Sequence, residues 1–212
     1  MGAAFAMAVI ALFAARNAAA QAVDTTRVLK GIEDRYNRTQ TLEVSFTESY
    51  TFQRRKRTEN GTLYLRKPGR MRWAYSAPAG KLFVSDGEFA YYYSPQENRA
   101  EKSKLKETED MRAPLAFLLG RLNFQNDFRE FRTSPQDGGA FITALPKSDK
   151  LIYTEVSFLA MPDYAIKRMV VKGQDNSVLE FEFEGEKRNP ALADTLFRFT
   201  PPAGAEYVDS TR

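Results

Sequence analysis

The side chains able to do chemistry in this 212-residue chain are few in kind, because it contains no histidine and no cysteine. Imidazole acid–base work, His-based triads and the usual zinc ligands are excluded. So are thiol nucleophiles, thiolate metal sites, disulfides and anchoring through a lipidated cysteine. Carboxylates, lysines, tyrosines, serines and threonines remain. Among the carboxylates, patterning isolates Glu48, which falls on the apolar face of the alternating run Leu42, Val44, Phe46, Tyr50, Phe52. A lone carboxylate there is expected to pair with an Arg or Lys at the rim of a sheet rather than to act as acid or base. The Asp and Glu residues show no metal-binding spacing. Asp137-Gly138-Gly139 reads as a turn, since no glycine loop follows a strand and opens a helix. The expectation is a non-enzyme with no cofactor and no metal, whose business is apolar surface.

The elements that would present such a surface are concentrated in residues 61–95, GTLYLRKPGRMRWAYSAPAGKLFVSDGEFAYYYSP. Gly61 opens a strand through Leu63 and Leu65, stopped by Pro68-Gly69. Met71, Trp73 and Tyr75 recur at period two, and Pro78 and Gly80 break the run. Lys81 to Ser85 reads as a fourth strand. Asp86-Gly87 predicts a type I′ hairpin with positive φ at both central positions, returning through Phe89 to Tyr93.

Upstream, Val28, Leu29, Ile32 and Tyr36 mark one face of a helix, capped by Thr25 or Thr26. The strand of Leu42 to Phe52 follows, then a basic turn, Arg54-Arg55-Lys56-Arg57. That run suits docking on anionic headgroups or an acidic partner, and equally an ordinary solvated hairpin tip. Downstream, Lys102, Lys104 and Lys106 alternate as guards of a strand edge. Pro114 to Leu119 reads as a short apolar helix ended by Gly120. Further strands cover Phe128–Arg132, Phe141–Leu145, Tyr153–Leu159, Ile166–Val171 and Val178–Glu184. A last strand holds Phe197 and Phe199 before Pro201-Pro202. The count is about eleven strands against two or three helices, a mainly β (α+β) single domain with one antiparallel sheet. So long a sheet must curl around its apolar face. Periodicity alone does not separate a packed core from a hollow interior, and by itself favours the packed one.

The net charge of +4 and pI near 9.2 are mild, and acidic and basic residues are interspersed, so no nucleic-acid-binding face is expected. Residues 1–20 read as a cleaved signal peptide: Ala3 to Ala15 is an apolar run of secretory length, and Ala18-Ala19-Ala20 are small residues before Gln21. The basic residue that normally precedes such a run is missing. Residues 21–212 would then be the working domain.

The ordered set of motifs resembles the outer-membrane lipoprotein carrier family (LolA type). It comprises an amphipathic helix, a strand ending in Phe52-Gln53, Lys67-Pro68 with four residues between it and Trp73, the LFVSDG run reaching Tyr93, the Pro114–Leu119 helix, and the closing LFRFTPPAGAEYV. The resemblance runs from about Val23 to Val208. It implies an incomplete, half-open barrel with a lid of short helices over a hydrophobic cavity. It also implies a monomeric periplasmic carrier that takes the acyl chains of lipoproteins from an inner-membrane ABC transporter and delivers them to an outer-membrane receptor. The need is physical: an acyl chain of about sixteen carbons left in water costs on the order of 12 kcal/mol, at about 0.8 per methylene. Two other readings stay open on the same fold, a lipid-sensing envelope-stress regulator and a glycolipid-binding protein.

By resemblance, Phe46, Leu63, Leu65, Met71, Trp73 and Tyr75 line the cavity, with Tyr91 and Tyr93, or with Tyr92 on the opposite face. Leu29 and Ile32 of the first helix, with Leu115, Phe117, Leu118 and Leu119, form the lid. A basic residue just before the proline latches it. That position is Lys67, where the family usually has Arg. Arg66 stands beside it but should face the other side of the strand.

Overall fold

The computed structural model describes residues 23–105 and 122–211. Helix α1 (Thr25–Asn37) is followed by β1 (Thr41–Phe52), β2 (Arg55–Arg66), β3 (Arg70–Ala77), β4 (Leu82–Asp86), β5 (Phe89–Ser94) and β6 (Arg99–Lys104). The second half holds a single turn of helix, α2 (Phe124–Asp127), then β7 (Phe128–Gln136), β8 (Gly139–Pro146), β9 (Tyr153–Ala160), β10 (Ile166–Gly173) and β11 (Val178–Arg188). A 3-10 turn (Asp194–Phe197) and β12 (Glu206–Asp209) close the chain. The expected signal peptide and the Pro114–Leu119 helix, with Leu115, Phe117, Leu118 and Leu119, lie outside the described residues.

Among the described residues, twelve strands form one sheet in the order β12-β6-β5-β4-β3-β2-β1-β11-β10-β9-β8-β7. Every neighbouring pair is antiparallel except β12 on β6, which is parallel. The end strands β7 and β12 do not pair with each other, so the sheet curls without closing. Its centre is the β1–β2 hairpin, paired from Thr41↔Arg66 to Phe52↔Arg55.

Three local expectations are corrected. The last strand is not at Phe197 and Phe199: residues 194–197 turn as a 3-10 helix whose Phe197 is buried, and strand pairing resumes only at Glu206. Helix α1 is capped by Asp24, whose carboxylate accepts from Arg27 N at 3.0 Å, because the helix already includes Thr25 and Thr26. The β4–β5 turn has positive φ at Gly87 and not at Asp86. Asp86 instead accepts from Glu88 N (2.9 Å) and Phe89 N (2.8 Å), so its carboxylate organises the turn from outside.

One face of the curled sheet carries the core. Leu63 of β2 stands opposite Val44 on β1 and Trp73 on β3, and Trp73 stands opposite Phe83 on β4. On the other half, Phe181, Met169, Phe158 and Ile142 make a second row across β11, β10, β9 and β8. Helix α1 lays Leu29, Ile32 and Tyr36 onto this concave face, and all belong to one apolar cluster. The strand pattern of period two and the helix pattern of period 3.6 thus meet on the same surface.

Candidate functional site

The centre of the concave face is aromatic. Phe46 faces Gly61 on β2, and Gly61 faces Tyr75 on β3. A Cβ at residue 61 would lie 2.1 Å from the Ala74 carbonyl oxygen, so only glycine lets β3 approach this closely. With no side chain between them, the rings of Phe46 and Tyr75 meet edge to face across β2, centroids 5.1 Å apart. Trp73 lies 4.8 Å from Phe46 and 5.2 Å from Phe181, and its indole N–H points at Met71 Sδ, 3.4 Å away. Leu63, Leu65 and Met71 are buried in the same cluster as Leu29 and Ile32 of α1.

Tyr91 and Tyr93 do not join them. The β4–β5 register sets Tyr92 opposite Phe83 and Tyr91 opposite Val84, which puts Tyr92 on the concave side and its two neighbours on the convex side. Tyr91 stacks on Phe199 at 5.3 Å and donates to Asp86 Oδ2 at 3.0 Å. Tyr92 packs against the core cluster. The placement of Tyr91 and Tyr93 on the cavity face is therefore corrected to Tyr92: three tyrosines in a row leave the phase of the alternation undetermined, and only the register fixes it.

Helix α1 is tied down at its C-terminal end. Lys67 Nζ donates to the Tyr36 carbonyl oxygen at 2.8 Å, which also accepts from Thr39 N at 3.1 Å, so the cation sits at the helix C-terminus, where the dipole favours it. Burial holds the Lys67 ammonium below its usual pKa. Tyr36 OH donates to Glu186 Oε2 (2.8 Å) and accepts from Ile166 N (2.9 Å). Arg35 donates through Nε to Glu186 Oε1 (3.1 Å) and through Nη1 to the Asp163 carbonyl (3.0 Å). Asn37 and Leu122 exchange two hydrogen bonds, and Phe124 N donates to Glu33 at 2.8 Å. Among the described residues, the gap beneath α1 between Tyr36, Leu42, Val44, Leu63, Ile166, Phe183 and Glu186 is about 10 Å³. That holds one water and no acyl chain.

Arg66 faces the other way. It pairs with Asp194, donates to the Leu192 carbonyl and lies over the Phe197 ring, 5.2 Å from its centroid. Arg72 donates to the Leu196 carbonyl at 3.2 Å from the same convex face. These arginines hold the C-terminal segment against the back of the sheet, so the latch is not relocated to Arg66. Arg66→Ala is expected to speed proteolysis of residues 189–199 while leaving amide exchange in α1 unchanged; faster exchange in α1 would tie Arg66 to the helix after all.

Glu48 is 6% exposed, as its apolar phase required, but its partner is not a cation: Tyr75 OH donates to it at 2.8 Å. Its cross-strand neighbour Glu59 is buried as well and takes Lys81, with Arg57 Nε 3.1 Å away. Lys81 Nζ also sits 4.3 Å from the Tyr75 ring centroid. Sequence reasoning passed over Lys81 and Glu59 because Lys81 opens a strand and Glu59 lies in a run of charged and polar residues. It passed over Glu186 too, for which no local pattern exists.

Tyr36 supports a pH prediction. Burial first, then the nearby Glu186 carboxylate, raises the phenol above its ordinary 10.0. The folded state therefore favours the neutral phenol, a contribution present below pH 10 and lost as the pH climbs beyond it. Wild type is expected to lose stability above pH 10 more steeply than Tyr36→Phe. At pH 7 the variant should be less stable by about 1–3 kcal/mol, because Ile166 N loses its acceptor. Parallel denaturant titrations at pH 7 and above pH 10 check both, and equal alkaline slopes would contradict the assignment.

Fold and site together define a half-open β-barrel whose apolar concave face is stoppered by a helix. The model for the family described as "Outer membrane lipoprotein carrier protein LolA" matches residues 37–200. An outer-membrane lipoprotein carrier protein of Xanthomonas campestris pv. campestris (strain B100) is 30% identical over 209 residues, covering 96% of this chain and 95% of that one. Its namesake from Dechloromonas aromatica (strain RCB) is 27% identical over 179 residues, 84% and 85% of the two chains. The solved structure of MucB, a protein of Pseudomonas aeruginosa, superposes with a TM-score of 0.52 at 11% identity, covering 89% of this chain and 66% of that one, and so shows a shared fold alone. The chain belongs to the outer membrane lipoprotein carrier protein LolA family.

Proposed function

We propose that this protein carries lipoproteins between membranes by sheltering their acyl chains on the concave face, with α1 as part of the lid. The observation that carries the reading is the pairing of a continuous apolar face, from Val44 and Phe46 through Trp73 to Phe181 and Met169, with a helix fastened over it by polar contacts, most of them toward its C-terminal end. A permanent core helix needs only packing. A lid needs contacts that can break in water and reform, and Lys67–Tyr36 and Arg35–Glu186 are of that kind. In this reading loading moves α1 off the concave face, since the gap beneath it among the described residues is about 10 Å³. The hidden surface of the cargo, on the order of 12 kcal/mol per chain, supplies the differential affinity that favours the open state.

In this reading residues 1–20 direct export, residues 21–212 work in the periplasm, and the role is not catalytic. An inner-membrane ABC transporter loads the carrier and an outer-membrane receptor unloads it. Leu115, Phe117, Leu118 and Leu119 complete the lid. Among the described residues no helix is long and apolar enough to cross a membrane.

Trp73 is the sole tryptophan and is fully buried on the concave face, so it reports directly. A lipopeptide with brominated acyl chains is expected to quench its fluorescence, while the same peptide with plain chains does not. Tight binding with no quenching would place the acyl chains elsewhere.

A further inference from the structure

The β1–β2 hairpin ends in a feature that neither the concave face nor the lid uses. Residues 53–58 are all exposed, and the run includes Arg54, Arg55, Lys56 and Arg57. Arg57 has partners, Glu59 at 3.1 Å and the Tyr50 ring at 6.0 Å. Arg54, Arg55 and Lys56 have no acidic partner among the described residues. On the β2 side the hairpin end is uncovered: β3 pairs with β2 only from Asn60 onward, leaving residues 55–58 without a strand neighbour there, while β11 follows β1 out to Thr51 on the other side.

The turn itself breaks a local rule. Gln53 (φ 46°) and Arg54 (φ 66°) both occupy the left-handed region, where a tight hairpin favours Asn-Gly. A charged, long side chain stands where conformational preference disfavours it, and such violations concentrate at functional positions.

We propose that this tip is a membrane-docking element that seats end-on upon anionic lipid headgroups. Arg55 and Arg57 project from one face of the ribbon and Lys56 from the other, with Arg54 at the apex. Charge on both faces and at the end suits a flat anionic surface that receives the ribbon end-on. A groove that binds one face of a strand would use half of it. Guarding the unpaired edge of β2 explains a cation or two but not a cation at the apex, beyond the ladder. The proposal goes beyond the carrier reading and is tested without cargo, so either can fail alone.

The test is sedimentation of the purified protein with vesicles of phosphatidylcholine alone or mixed with phosphatidylglycerol. Wild type is compared with Arg54→Gln/Arg55→Gln/Lys56→Gln and with a charge-matched control, Lys150→Gln/Lys167→Gln/Arg198→Gln, whose cations are exposed elsewhere. Wild type is expected to bind the anionic vesicles alone, reversibly with salt. The tip variant should lose affinity about a hundredfold, at roughly fivefold per cation, and the control only a fewfold. Equal losses in both variants would reduce the effect to net charge and overturn the proposal. So would full vesicle binding by the tip variant, or none by wild type. A tip variant that binds vesicles normally yet fails to bind an acidic protein partner would assign the tip to protein docking instead. Thermal unfolding of each variant confirms that the fold is retained.

Discussion

Lys81→Met is expected to destabilise the protein by about 3–5 kcal/mol, the scale of breaking a buried ion pair by removing one partner. Lys81 and Glu59 have side chains 8% and 6% exposed, and they are paired. Glu59 stands directly across β1–β2 from Glu48, which is also buried. Without the ammonium, two carboxylates face each other on an apolar surface, with Tyr75 OH on one and the largely exposed Arg57 on the other. The melting temperature should fall by roughly 10 °C, given about 2–4 °C per kcal/mol for a chain of this size. Lys81→Met/Glu59→Met is expected to recover most of the loss, because a matched apolar pair removes the uncompensated charge. Thermal melts of the two variants decide the matter: a single variant as stable as wild type would mean that Lys81 does not compensate buried charge.

Lys67→Met is expected to loosen α1 without disturbing the sheet. The substitution keeps the apolar stem and deletes the ammonium that meets the Tyr36 carbonyl. A hydrogen bond from a charged group contributes about 1.5–3 kcal/mol, and Lys67 is only half-buried, so the lower end applies. Amide exchange from Leu29 to Tyr36 should accelerate about tenfold, and uptake of an acyl-bearing peptide should quicken with it. Lys67→Arg, whose planar fork can hold more than one carbonyl, should protect the helix at least as well as lysine. Unchanged exchange in α1 of Lys67→Met would make Lys67 an ordinary strand-end cation.

Much of the sheet was legible because period-two runs between Pro and Gly turns leave few alternatives, as in Met71, Trp73, Tyr75 between Gly69 and Pro78. The phase of Tyr91, Tyr92 and Tyr93 was not, since a continuous aromatic run has no polar face to orient it. The C-terminal segment misled for a related reason. Phe197 and Phe199 alternate like a strand, yet Phe197 is buried against the convex face by a 3-10 turn that Arg66 and Arg72 hold from β2 and β3. Such tertiary partners leave no local trace. The same holds for the ties on α1: the spacing of Leu29, Ile32 and Tyr36 marks a buried face, but Glu186 lies about 150 residues away. Glu48 was conspicuous as a carboxylate out of phase, whereas its neighbours Glu59 and Lys81 were hidden among the polar residues of a hairpin and a turn.

The central claim, that this chain carries lipoproteins, is tested most directly by transfer out of a membrane. Vesicles holding an inner-membrane lipoprotein exporter and a labelled lipoprotein would be incubated with the protein and ATP, then sedimented. The account predicts a soluble one-to-one complex whose yield drops when the concave face is filled by a competing acyl-bearing peptide. A lipoprotein that stays with the vesicles, while native mass spectrometry finds a different lipid bound to the protein, would contradict it.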